Sequence, residues 1–152
     1  DIDEFLYHPD IINQLARHKQ DGVTLPRLKG FNMVSLFHPR RELPIVDAVR
    51  RGRFSPQYSK RCIFDPDLDI NYLPGAHRCE PVGNVVESED ADLALLHYHY
   101  VGLGNVLSRH RAYQKRLSER NRREGYSMQY KCGQLYVAAR FLKNWLLARR
   151  VL

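Results

Sequence analysis

An α/β domain of short strands followed by helices is the fold the sequence predicts, on three observations. Between residues 23 and 100, short runs of β-forming residues alternate with Gly, Pro and Asp clusters that break them. From residue 105 onward, apolar residues recur at helical spacing instead. A chain of 152 residues with 43% hydrophobic content can bury one globular core.

Taken in order, Pro9-Asp10 marks a turn into a helix that carries Ile11, Ile12, Leu15 and Ala16 and stops at Asp21-Gly22. Val23 to Phe37 reads as extended, with β-formers at Phe31, Met33, Val34 and Leu36, a break at Gly30 and an end at His38-Pro39. Ile45 to Arg51 supplies one or two helical turns closed by Gly52. Lys60 to Phe64 and Asp69 to Leu73 read as short strands closed by Asp65-Pro66-Asp67 and Pro74-Gly75. Val82 to Glu87 and Leu93 to Tyr100 are two more. A long basic helix is expected from Asn105 to Arg123, with Val106, Leu107, His110, Tyr113, Gln114 and Leu117 inward and Gly125 as its stop. The final helix, Gln134 to Arg150, would place Leu135, Ala138, Ala139, Leu142, Trp145 and Leu146 on one face.

Composition excludes several classes. Charged residues at 27% speak against global disorder, and no apolar run approaches the roughly 20 residues of a membrane span. Three cysteines at wide spacing (Cys62, Cys79, Cys132) argue against a disulfide framework and for a reducing compartment. His77 and Cys79 lack the Cys-x-x-Cys partner that a structural zinc site would need. The net charge of +7 is concentrated in Arg40 to Arg61 and in Arg109 to Arg123, stretches that suit phosphate-bearing ligands, nucleic acid or an anionic surface, or simply a solvated helical face.

The opening Asp1-Ile2-Asp3-Glu4-Phe5 carries the chemistry. In an extended segment Asp1 and Asp3 share a face about 7 Å apart, and paired carboxylate oxygens are what Mg²⁺ or Mn²⁺ prefers. An acidic pair of this kind also occurs in plain solvated turns. The motif is followed in order by Gly30-Phe31-Asn32-Met33-Val34, Ser59-Lys60-Arg61-Cys62-Ile63-Phe64-Asp65-Pro66, Asn71-Tyr72-Leu73-Pro74-Gly75-Ala76-His77, Pro81-Val82-Gly83 and Leu95-Leu96-His97-Tyr98, then the basic helix. This series, from residue 1 to about residue 130, resembles the C-terminal half of GT-A-fold glycosyltransferases, specifically bacterial family-2-like enzymes with an Asp-Ile-Asp-Glu-Phe motif.

The resemblance implies a partial GT-A fold in which residues 1–104 form the metal and acceptor side of the catalytic domain and residues 105–152 its C-terminal helices. The nucleotide-binding βαβ half that precedes the motif in such enzymes would be missing, so the activity would belong to the parent protein and the fragment alone would be inactive. That activity would be metal-dependent transfer of a sugar from a nucleotide-diphospho-sugar to a hydroxyl acceptor, with inversion, at a bacterial cytoplasmic location or peripheral to the inner membrane face. Asp1 and Asp3 would hold Mn²⁺ or Mg²⁺, with Asp3 as direct ligand and Asp1 nearer the ribose or a metal-bound water. His77 is the first choice for the additional metal-binding histidine and His97 the second. Lys60 and His97 would lie on the diphosphate side.

For each of these the residues alone leave a plainer reading open. His77 can be a turn histidine, His97 a partly buried strand histidine and Lys60 a strand-edge charge; His99 shares the face of His97 in an extended segment and is otherwise an ordinary residue. No catalytic base is assigned: residues 32–41 contain no carboxylate, and Asp47 is explained as well by a helix N-terminus. Two other readings compete. A basic nucleic-acid-binding module would use the Arg109–Arg123 segment, but no helix-turn-helix, zinc-finger or RNP pattern supports it. A membrane-surface or partner-binding element would use the last helix, where Arg140, Lys143, Arg149 and Arg150 surround Phe141, Trp145, Leu146 and Leu147.

Overall fold

The structure, a computed structural model, describes residues 2–40, 42–73, 76–89, 91–125 and 128–152. It is an α/β fold. Strands β1 (Glu4–Tyr7), β2 (Leu28–Ser35), β3 (Arg51–Phe54), β4 (Leu93–Val101) and β5 (Arg149–Arg150) form one sheet in the order β1-β4-β2-β3-β5. Helices α1 (Ile11–Gln20), α2 (Ile45–Ala48), α3 (Leu103–Arg116), α4 (Glu119–Arg123) and α5 (Gln134–Leu147) complete it. The outer pairs β1–β4 and β3–β5 are antiparallel. The central strands β2 and β4 run the same way: His97 reaches Asn32, and further along both strands Gly102 N–H donates to the Ser35 carbonyl. The sheet is therefore mixed.

The chain divides into two compact units, Asp1–Asn32 with Phe54–His97, and Met33–Arg53 with Tyr98–Leu152. In the first, Leu25, Leu28, Leu68, Leu93, Leu95 and Leu96 are buried, and α1 turns Ile11, Gln14, Leu15 and His18 away from solvent. In the second, Val34, Tyr100, Val106, Phe141 and Ala148 form the core, with Leu36, Leu103, Val137 and Trp145 packed against it. Glycine at 102 lets the chain pass from β4 into α3 at φ 73°, a left-handed conformation that a Cβ would strain.

Several elements depart from expectation. Gly52 lies inside β3 rather than ending a helix, and α2 stops at Ala48. Residues 60–73 form no named strand; side chains and isolated bridges (Asp69 with Val82, Tyr72 with Cys79) hold the segment instead. The expected Pro74-Gly75 turn lies outside the described residues. The basic helix is two helices, because Leu117 turns extended and Ser118 caps α4, its hydroxyl accepting from Asn121 N–H at 3.1 Å. In α5 the buried residues are Phe141 and Asn144, while Leu135 and Leu146 stay 88% and 65% exposed. The inward face is thus rotated from the one periodicity predicts, because Val137, Phe141, Trp145 and Ala148 fill the core and Asn144 is satisfied by the Arg140 carbonyl at 2.9 Å. Among the described residues, no helix is long and apolar enough to cross a membrane.

Candidate metal centre

Asp3 sits in the turn that enters β1, and the β1–β4 register places Glu4 opposite His97. That register brings His97 Nε2 to 3.7 Å from Asp3 Oδ2. Two residues further along β4, on the same face of the strand as alternation requires, lies His99. One ligand atom from each of Asp3, His97 and His99 lies within 4.8 Å of the others. Neighbouring ligands on one ion with bonds of about 2.1 Å are about 3.0–3.4 Å apart, so side-chain shifts of about an ångström would bring the three donors onto one ion. The donor set, one carboxylate oxygen and two imidazole nitrogens, is one that first-row transition ions accept.

A buried framework surrounds these side chains. His97 is 5% and Asn32 7% exposed, and His97 Nδ1 lies 3.0 Å from Asn32 Oδ1. The Tyr58 ring stacks on His97 with centroids 4.0 Å apart and planes at 26°. Tyr58 ends a 3₁₀ turn, Pro56–Tyr58, that approaches β2 at Gly30. Only glycine permits this: a Cβ there would fall 2.1 Å from the Tyr58 carbonyl carbon. Gly30 N–H donates to Ser59 Oγ at 3.0 Å, and Ser55 N–H donates to the Gly30 carbonyl at 2.9 Å.

Beside them Lys60 Nζ donates to Glu4 Oε1 at 2.6 Å, with both side chains 7% exposed. Lys60 also lies 5.8 Å from the Tyr58 ring centroid. The ion pair ties β1, immediately after Asp3, to the segment that carries Tyr58. Two residues beyond Lys60, Cys62 is exposed, yet partial desolvation of its thiol and then the Glu4 carboxylate shift it up, which disfavours it as a thiolate ligand. Tyr72 is 42% exposed; local desolvation still shifts its phenol up, and its hydroxyl donates to the Arg61 carbonyl.

The positions predicted from sequence are thus distributed. Asp3 and His97 come together. His77 lies outside the cluster: it is exposed, its Nδ1 is 3.1 Å from the Gln57 carbonyl, and its ring meets Tyr58 edge-on at 5.6 Å. Lys60 is engaged by Glu4. Asp1 lies outside the described residues. Sequence reasoning gave His99 no site role; the His-x-His spacing in an apolar strand was the signal for it. Asn32 and Tyr58 carried no signal, since both act through partners distant in sequence.

The basic segment is partly turned inward. Arg109 donates to the His99 carbonyl at 2.6 Å and Arg111 to Gln134 Oε1 at 3.3 Å, while Lys115, Arg116, Arg120 and Arg123 are exposed. The fold and these side chains define an α/β domain with a candidate His-His-Asp centre at the start of its sheet. Comparison with protein families, with curated proteins and with solved structures finds no match to the chain.

Proposed function

We propose that this chain is the metal-binding and acceptor-side part of a GT-A-type glycosyltransferase that moves a sugar from a nucleotide-diphospho-sugar to a hydroxyl acceptor. The observation that carries the reading is the convergence of Asp3 of the Asp-Ile-Asp-Glu-Phe motif with His97 of the Leu-Leu-His-Tyr segment, two motifs 94 positions apart in the same resemblance. In this reading Asp3, His97 and His99 hold a divalent cation, Mn²⁺ in preference to Mg²⁺ because two of the three donors are imidazoles.

A divalent ion held there would supply the positive charge that a diphosphate leaving group needs as its bond to the sugar breaks. The chain's own residues set the conditions for that. One carboxylate against a doubly charged ion leaves net positive charge for the diphosphate. Tyr58 covers one face of the His97 ring and excludes water from it. The Glu4–Lys60 pair fixes the strand that follows Asp3. By the same resemblance Asp1 would lie nearer the ribose or a metal-bound water.

Calorimetry of UDP binding in the presence of Mn²⁺ tests the reading on the wild type and on Asp3→Ala, His97→Ala and His77→Ala. Metal-dependent binding lost in the first two variants and kept in His77→Ala is the expected result. Binding of UDP and other nucleoside diphosphates that is indifferent to Mn²⁺, or unchanged in Asp3→Ala, would end it.

A further inference from the structure

We propose that Asn32 is a positioning residue for this centre: its side-chain carbonyl holds His97 as the Nδ1–H tautomer and so presents Nε2, with its lone pair, to the ion. The inference rests on the metal reading above and concerns a residue that never touches the ion. An amide oxygen can only accept a hydrogen bond, so the 3.0 Å contact of Asn32 Oδ1 with His97 Nδ1 requires the ring proton on Nδ1. A neutral imidazole carries one such proton, which leaves Nε2 as the base. Nε2 is the atom that faces Asp3, 3.7 Å from Oδ2.

Three features make this contact decisive rather than incidental. Both side chains are buried, so bulk water does not replace the acceptor if Asn32 is lost. The Tyr58 ring, stacked at 4.0 Å, opposes rotation of the imidazole away from Asn32. Asn32 and His97 are also held by neighbouring strands, β2 and β4, so backbone hydrogen bonding fixes the distance between them. The competing arrangement turns the amide over. Its NH₂ would then donate to Nδ1 and the ring proton would move to Nε2, where it would block the metal. A partner that fixes the tautomer of a ligating histidine changes metal affinity by about 10–100-fold when removed.

Nitrogen-15 NMR of the imidazole reads the tautomer directly in the metal-free protein, and a Mn²⁺ titration of the same samples reads affinity. The wild type is expected to show His97 protonated at Nδ1. Asn32→Leu, which keeps the branched shape and removes the acceptor, is expected to lose that preference and bind Mn²⁺ about 10–100-fold more weakly. Asn32→Asp, which restores an acceptor oxygen, is expected to recover both. A wild-type ring protonated at Nε2 would overturn the proposal, whether or not the leucine variant folds. So would a folded Asn32→Leu protein whose Mn²⁺ affinity stays within about twofold of wild type, against the change a tautomer-fixing partner should produce. A wild type that binds no Mn²⁺ sinks the metal reading itself and this role with it, an outcome distinct from intact binding that ignores Asn32.

Discussion

Glu4 and Lys60 form a short ion pair whose two side chains are almost fully withdrawn from water. Removing one partner takes the nearest opposite charge from the other in a buried setting, and Lys60→Met is expected to lower stability by about 3–5 kcal/mol. The double variant Glu4→Leu with Lys60→Met should recover most of that loss in urea unfolding, because the penalty belongs to the charge left behind rather than to the missing contact. Glu87 gives the acid limb of stability. Burial alone would raise its carboxyl, but Arg27 at 2.8 Å and Arg61 at 2.7 Å outweigh it and hold the group below its ordinary value. A depressed carboxyl contributes stability that is complete above the ordinary range near about 4.3 and is lost as pH falls through the folded value. Glu87→Gln should therefore flatten the decline of stability below about pH 4, by no more than about 1 kcal/mol since Arg27 is half exposed. At this scale the acidic pair could be read from adjacent residues, while the approach of Asp3 to His97 could not. Nor could the choice between His77 and His97: it depends on the β1–β4 register that sets Glu4 opposite His97, which no local pattern encodes.

Among the elements, the turn Pro56–Tyr58 depends on its fit against β2. Gly30→Ala would drive a methyl into the Tyr58 carbonyl carbon and the Ser59 nitrogen, at 2.1 and 2.5 Å, and backbone atoms cannot step aside as a side-chain tip can. The substitution should cost about 1–3 kcal/mol or more and displace Tyr58 from His97. Thermal unfolding measures the first effect and the ring-current shift of the His97 protons the second. Helix α5 is a different case. Phe141 is fully buried in its core cluster, and Phe141→Ala should cost about 3–5 kcal/mol, while Leu135→Ala on the exposed stripe should change little. The existence of α3 and α5 was legible from apolar spacing. The rotation of α5 was not, because its sequence has more apolar residues than one face holds and neighbours such as Val34, Tyr100 and Val106 select which are buried. The interruption at Ser118 was readable in principle, as a serine cap just before Glu119.

For the whole molecule, the presence of both β-forming and helical runs made the α/β class legible, although the observed order interleaves strands and helices rather than placing one after the other. The sheet order β1-β4-β2-β3-β5 could not be read locally, because pairing joins strands as distant as Glu4–Tyr7 and Leu93–Val101. Residues 60–73 misled for the same reason: β-formers there found side-chain ties and isolated bridges instead of a strand partner. A bound ion that prefers the folded state should stabilise the protein by about 2.7 kcal/mol at a concentration 100 times its dissociation constant, and Asp3→Ala should abolish that gain in a thermal scan. The central claim is that Asp3, His97 and His99 hold one ion together. Pulsed electron paramagnetic resonance of the Mn²⁺-loaded protein tests it most directly, because it detects the imidazole nitrogens bound to the metal. The account predicts ¹⁴N couplings from two histidines, falling to one in His97→Ala or His99→Ala. Mn²⁺ bound with no nitrogen coupling, or couplings unchanged by both substitutions, would contradict it.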